Sequence, residues 1–302
     1  MITTIIHILL LLLMPPLLMG IITKTKAWFG GRVGAPFLQP YYDIIKLMRK
    51  GMVFSTTTTW IFRIGPIVTL VSILIAGLLV PMGHFNAPVS FTGDLILFAY
   101  LFGLSRFFTT AAALDTGSSF EGMGSAREVT FACFSEPALF FAFLVLIKIS
   151  GALSLTPMLH GPAEGFSVII AAPVVLIAIG LFIIMLAESC RIPVDDPNTH
   201  LELTMIHEVM VLDHSGPLFG LISYSAAVKL FVLSTVLLHI IMPFHLQQDW
   251  VNWIVYIFGI MGISVLIGVV ESVMARLQMQ HVPYLLISAL LFCAFGFILL
   301  VR

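Results

Sequence analysis

Residues 167–188 read SVIIAAPVVLIAIGLFIIMLAE, and residues 188–216 read ESCRIPVDDPNTHLELTMIHEVMVLDHSG. The first stretch has the length and apolar content that a helix needs to cross the hydrocarbon of a bilayer. The second is the longest polar interruption in the second half of the chain. It sets Glu188, Asp195, Asp196, Glu202, Glu208 and Asp213 against one cation, Arg191, and adds His200, His207 and His214. Titratable groups gathered between two apolar spans suit proton handling or docking.

Turn and cap chemistry divides the polar stretch. Pro193 and Asp195-Asp196-Pro197 read as a turn and a helix start, with an Asp as N-cap and Pro197 at the first helical position. Ser215-Gly216-Pro217 reads as the end of that helix. At 100° per residue His200, Thr204, His207 and Glu208 share one arc, and Leu201, Met205, Ile206, Val209 and Leu212 cover the other side. Glu202 falls on the apolar side, where desolvation favours a protonated carboxyl; a backbone hydrogen bond or a neighbouring cation is the plainer alternative.

Working outward, the same apolar pattern recurs along all 302 residues, 60% of them hydrophobic and 10% charged, with a mean hydropathy of +1.10. We read an all-α membrane protein, a single polytopic domain with eight spans near 4–22, 61–82, 92–112, 129–150, 167–188, 219–242, 252–275 and 282–301. The net charge of −1 says nothing about nucleic acid, but no basic patch is large enough to follow a phosphate backbone. Cys133, Cys190 and Cys293 stand far apart and imply neither a disulfide framework nor a metal site.

Lys24, Lys26, Arg32, Lys46, Arg49 and Lys50 follow the first span, and Arg127, Arg191 and Arg276 follow the third, fifth and seventh. The loops around 83–91, 151–166 and 243–251 hold no Lys or Arg. The positive-inside rule puts the first set in the cytoplasm and the N-terminus outside. The polar loops near 23–60, 113–128 and 189–218 then share the cytoplasmic face, as expected where a partner docks. Within the first of them, residues 41–50 (YYDIIKLMRK) suit a short helix lying at the bilayer surface.

Several ionisable groups fall inside spans. Glu136, beside Pro137, and Lys229 are deep enough to need a polar partner or cavity, and we expect them to be functional. Asp94 and Arg106 are placed near the ends of the third span, where their heads can reach water. Lys148 and Glu271 are open to either reading. His207-Glu208 lacks the second histidine of a zinc-protease HExxH motif, since residue 211 is Val, and Gly30–Gly34 lacks the ending of a phosphate loop. No haem, flavin or iron–sulfur ligand pattern is present in the sequence, so no cofactor is expected on this chain.

Three stretches together resemble the subunit-one family of respiratory complex I and its relatives in membrane-bound hydrogenases. These are Arg32-Val33-Gly34 through Leu38-Gln39-Pro40 to Asp43 and Lys46; Ala126-Arg127-Glu128 followed by Glu136-Pro137; and Glu188-Ser189-Cys190-Arg191-Ile192-Pro193-Val194-Asp195 running on to Glu202, Glu208 and Ser215-Gly216. The text PVDDPNTHLELTMIHE departs from the acidic run usual in complex I. It is similar to the membrane anchor subunit of group-4 nickel–iron hydrogenases of the formate hydrogenlyase and hydrogenase-four type.

The resemblance implies a non-redox anchor in the cytoplasmic membrane of a bacterium or archaeon. Its expected partners are hydrogenase-like large and small subunits, an iron–sulfur subunit and antiporter-like membrane subunits, with the nickel–iron centre and iron–sulfur clusters in those partners. It also implies a proton-coupling funnel of Glu128, Glu136, Glu188, Asp195, Glu202, Glu208 and Asp213, to which Lys229 is added as an intramembrane cation. Arg127 and Arg191 are expected as counter-charges, and Arg32, Gln39, Asp43, Lys46, His200 and His207 as docking or counter-charge groups. A quinone-site subunit of complex I and a stand-alone ion transporter are the rival expectations.

Overall fold

The computed structural model describes residues 2–160, 168–196, 205–242 and 248–301. Its helices are α1 (Ile2–Phe29), α2 (Gln39–Met48), α3 (Trp60–Leu79), α4 (Asp94–Asp115), α5 (Ser119–Ser150), α6 (Leu155–His160), α7 (Val168–Glu188), α8 (His207–Met210), α9 (Gly216–Ile241), α10 (Asp249–Val273) and α11 (Val282–Val301). Eight of these are long and apolar enough to cross a membrane. Among the described residues there is no strand, only an isolated bridge between Met82 and Phe85. All-helical spanning follows from lipid, which offers no partner to a backbone N–H or C=O.

The bundle is built around α9, whose second half is buried on all sides from Leu230 to Ile240. Helices α1, α2, α3, α7 and α10 pack on it, α4 packs on α3, and α11 closes the far side against α5 and α7. Its first turn is clamped by the loop after α2. Gly216 has a φ of +56°, and a Cβ there would lie 2.5 Å from the Gly51 carbonyl oxygen. The Ser215 hydroxyl accepts the Val53 N–H at 3.2 Å.

Proline shapes α1. Pro16 has no N–H, so the Leu12 carbonyl loses its helical partner. The Tyr224 hydroxyl of α9 donates to it at 2.9 Å instead, and the Tyr41 hydroxyl of α2 donates to the adjacent Leu13 carbonyl. The break in one helix thus ties down two others.

The expected spans are found in place, with three corrections to local structure. The segment 113–128 is not a loop throughout: α5 starts at Ser119, so Arg127 and Glu128 lie more than two turns inside it. Packing overrides the polar composition here. A Cβ on Gly124 would fall 2.4 Å from Val209 Cγ1 and 3.0 Å from the Ile206 carbonyl oxygen, so a residue without a side chain lets α5 run past the 205–210 segment. Of the helix expected to run from Pro197 to Ser215-Gly216-Pro217, the described residues hold α8 (His207–Met210), and Gly216 and Pro217 begin α9; residues 197–204 lie outside the described residues. Arg106 lies mid-helix in α4 and is 9% exposed, so its head turns into the bundle and does not reach out of it.

Candidate functional site: a buried ion-pair cluster

Arg106 is the hub. Its guanidinium contacts Glu136 of α5 and Glu188 at the end of α7, and its Nε lies 3.5 Å from Glu128 of α5. Through its other oxygen Glu188 meets Lys229 of α9 at 2.8 Å, and the oxygen facing Arg106 also accepts the Ser135 hydroxyl at 2.8 Å. Four helices therefore place three carboxylates against two cations. A planar guanidinium suits this position, since its five N–H groups can reach several carboxylates at once. Glu188 is buried, whereas the Glu136 side chain is 48% exposed on the flank of the bundle.

The segment between α7 and α8 forms the second part of the site. Helix α7 ends in a Schellman turn: the Arg191 N–H returns to the Leu186 carbonyl at 2.8 Å and the Cys190 N–H to Ala187 at 3.1 Å. The residue that must be left-handed is Cys190, with φ of +50°. Helix α1 ends in the same way, but there the left-handed residue is Gly31. A non-glycine in this conformation is strained. Burial, and then the nearby Glu128 and Asp195 carboxylates, push the Cys190 thiol well above its ordinary range.

Asp195 holds this segment together. One carboxylate oxygen accepts the Ile206 and His207 N–H groups at 3.0 and 3.1 Å; the other pairs with Arg276 at 3.0 Å. Asp195 therefore caps α8 from across the chain. Three cavities meet here. One of about 40 Å³ is lined by Arg106, Glu128, Glu188, His207 and Lys229, and a second of about 20 Å³ by Arg106, Ser135, Glu188 and Asp195. A third of about 150 Å³ is lined by Met19, Arg191, Asp195, His207 and Glu208, and Cys190 lines all three. The smaller two are polar enough, and roomy enough, for one to a few waters each.

Of the sequence candidates, Glu128, Glu136, Glu188 and Lys229 come together around Arg106, and Asp195, Glu208 and His207 line the adjoining cavity. Asp213 does not join them. Its side chain is exposed, and its N–H donates to Glu121. Arg32, Asp43 and Lys46 are exposed around α2, where Gln39 donates to Asp43 at 2.8 Å. His200 and Glu202 lie outside the described residues.

The two expected counter-charges, Arg191 and Arg127, have the following partners among the described residues. Arg191 pairs with Glu271 of α10 at 3.3 Å and touches Met19, and Glu271 also holds Lys26 of α1 at 2.9 Å. Arg127 donates to the Met205 carbonyl at 2.7 Å. The cation set against Glu128, Glu136 and Glu188 is Arg106, because the direction of a side chain on α4 depends on helix packing and not on the nearest loop. A signal was present: Arg106 is the lone cation in a 22-residue span, midway between its ends, and such a group faces a partner. Among the described residues no group of three or more His, Cys, Asp or Glu side chains could hold a metal ion.

Eight apolar helices around an interior of paired charges define a multi-pass membrane protein. Residues 2–302 match the family described as NADH dehydrogenase, and the chain belongs to that family, among its subunit-one members. It is 30% identical to hydrogenase-4 component C of Escherichia coli K12, over 91% of this chain and 89% of that protein. It is 27% identical to formate hydrogenlyase subunit 4 of the same organism, over 92% and 91%. A chain of the membrane-bound sulfane sulfur reductase, an archaeal respiratory membrane complex, has the same fold, with a TM-score of 0.85, 20% identity and coverage of 99% and 98%.

Proposed function

We propose that this chain is the non-redox membrane anchor of an energy-converting, hydrogenase- or formate hydrogenlyase-like complex, and that it couples turnover in the docked arm to ion translocation. The observation that carries this reading is the Arg106 cluster. Three carboxylates face two cations, which leaves the cluster a surplus of one negative charge that a proton can neutralise. The cluster reaches from cavities lined by Ser189, Cys190 and His207 to Glu136, half-exposed on the bundle flank. A charge or movement beside Glu208 and His207 shifts the proton within the cluster, and Glu136 presents the change to a neighbouring subunit. Coverage of about nine-tenths by the two Escherichia coli relatives supports the hydrogenase setting.

In this proposal the α2 end faces the cytoplasm and the N-terminus faces outward in a bacterial or archaeal inner membrane. Arg32, Gln39, Asp43 and Lys46 meet the large and small hydrogenase-like subunits and an iron–sulfur subunit, which hold the nickel–iron centre and clusters. Antiporter-like subunits lie against the Glu136 flank, and they carry the translocated ion. Glu188→Gln tests the coupling in the tagged, purified complex reconstituted in vesicles. The expected result is loss of ion uptake with hydrogen turnover retained; unchanged ion uptake per turnover would sink the reading. The same purification is expected to bring down nickel–iron and iron–sulfur proteins, whereas a chain recovered alone would point to a stand-alone transporter.

A further inference from the structure

We propose that the end of the bundle opposite α2 carries a proton-binding site, centred on His239 and reached from the surface through His160 and His84. It goes beyond the coupling reading and stands apart from it, since it rests on ring geometry at the other end of the molecule. Both ring nitrogens of His239 lie at hydrogen-bond distance from backbone carbonyls. Nδ1 is 2.8 Å from the Thr235 oxygen and Nε2 is 3.0 Å from the Gly83 oxygen. A carbonyl only accepts, and a neutral imidazole has one N–H and one lone pair. A neutral ring here aims its lone pair at an oxygen lone pair. The doubly protonated ring donates on both sides, and charge-assisted bonds of this kind are the stronger ones.

The surroundings are built for that ring. Gly83 has a left-handed φ of +63°, in the turn that aims its carbonyl. The Thr235 hydroxyl is held by Tyr256 at 2.8 Å. His239 is 2% exposed, His160 of α6 is half-buried and His84 is exposed, with ring centroids 6.3 Å apart for the inner pair and 5.8 Å for the outer. At these spacings one water or a ring rotation bridges each step. The titratable groups described at this end are His7 of α1, bonded to Gly77; Asp94 of α4, bonded to Ser154 and Leu155; the exposed Lys148 of α5; His84, His160 and Tyr256. Of these, His160 and Tyr256 have rings beside that of His239. The proton enters from water at His84, passes to His160, and is held at His239 between the two carbonyls.

The test is solid-state NMR of the full chain in bilayers, with nitrogen-15 histidine. His239 is identified by its loss in His239→Gln. Should that variant fail to fold, carbonyl labels at glycine and threonine identify the same ring in the unmodified protein. The expected result near neutral pH is a ring with both nitrogens protonated. Its proton exchange with water is expected to be lost or greatly slowed in His84→Gln/His160→Gln while the ring stays protonated. A single neutral tautomer from mildly acid to mildly alkaline pH would overturn the proposal. So would exchange unaffected by the double variant.

Discussion

Two buried charge clusters in this molecule are inverses of each other. Around Arg106, three carboxylates share one guanidinium, with Lys229 on the far side of Glu188. Around Glu271, one carboxylate is held between Arg191 and Lys26. The first adjoins cavities and has a member half-exposed on the bundle flank; in the second the Glu271 side chain is wholly buried and ties α1, α10 and the Arg191 turn together. Burial of charge alone therefore does not mark the site. The two clusters differ in the sign of the surplus charge and in the room around it, and it is on that difference that we propose proton exchange at the first and a joint at the second.

Arg106→Leu and Glu271→Leu are the strongest way to break this comparison. Each removes one side of a buried pair and is expected to destabilise the chain by about 3–5 kcal/mol. Lowering the pH should separate them. Acid neutralises the carboxylates that Arg106 leaves behind, so that loss shrinks; the cations left by Glu271 stay charged, so that loss persists. Thermal unfolding in detergent at two pH values reads both. Equal pH behaviour would remove the distinction.

His214 sharpens it, as a buried group that carries no charge. It stacks on Phe62 at 3.9 Å between α8 and α9, and burial lowers its pKa from 6.5 to about 4. The folded state thus binds the proton later than the unfolded state. The contribution is complete above pH 6.5 and is lost as pH falls towards 4, up to about 3 kcal/mol. His214→Phe should flatten the acid limb of the stability profile over that window.

Smaller effects test the strain and the exposure. Cys190→Gly relieves the left-handed turn below the Arg106 cluster and is expected to raise stability by about 1 kcal/mol, seen as a higher unfolding midpoint. A loss would mean that the thiol packs more strongly than its backbone is strained. Glu136→Gln, at a half-exposed position, should change the stability of the isolated chain by less than about 1 kcal/mol. A loss like that of Arg106→Leu would show Glu136 to be a structural member of the cluster.

The spans were legible from their apolar runs, and Glu136 and Lys229 from the rarity of charge inside such runs. The partners were not. Arg191 precedes a run of acids in sequence but turns to Glu271, whereas the acids of α5 and α7 turn to Arg106 on α4. The start of α5 was hidden by its polar text, because the packing of Gly124 against Val209 and Met210 decides it. The histidines at the opposite end went unread, since His84, His160 and His239 stand on three separate elements.

By itself the sequence determined the number, length and order of the membrane helices. Bilayer thickness sets the length of a span, and the lack of water inside it requires a helix. The same sequence motifs carried the family. Only the tertiary structure decided which charges meet. In lipid an apolar helix has no wet face to mark its rotation, so the direction of Arg106, the inversion at Glu271 and the ladder of histidines follow from how small residues such as Gly124 let the helices pack.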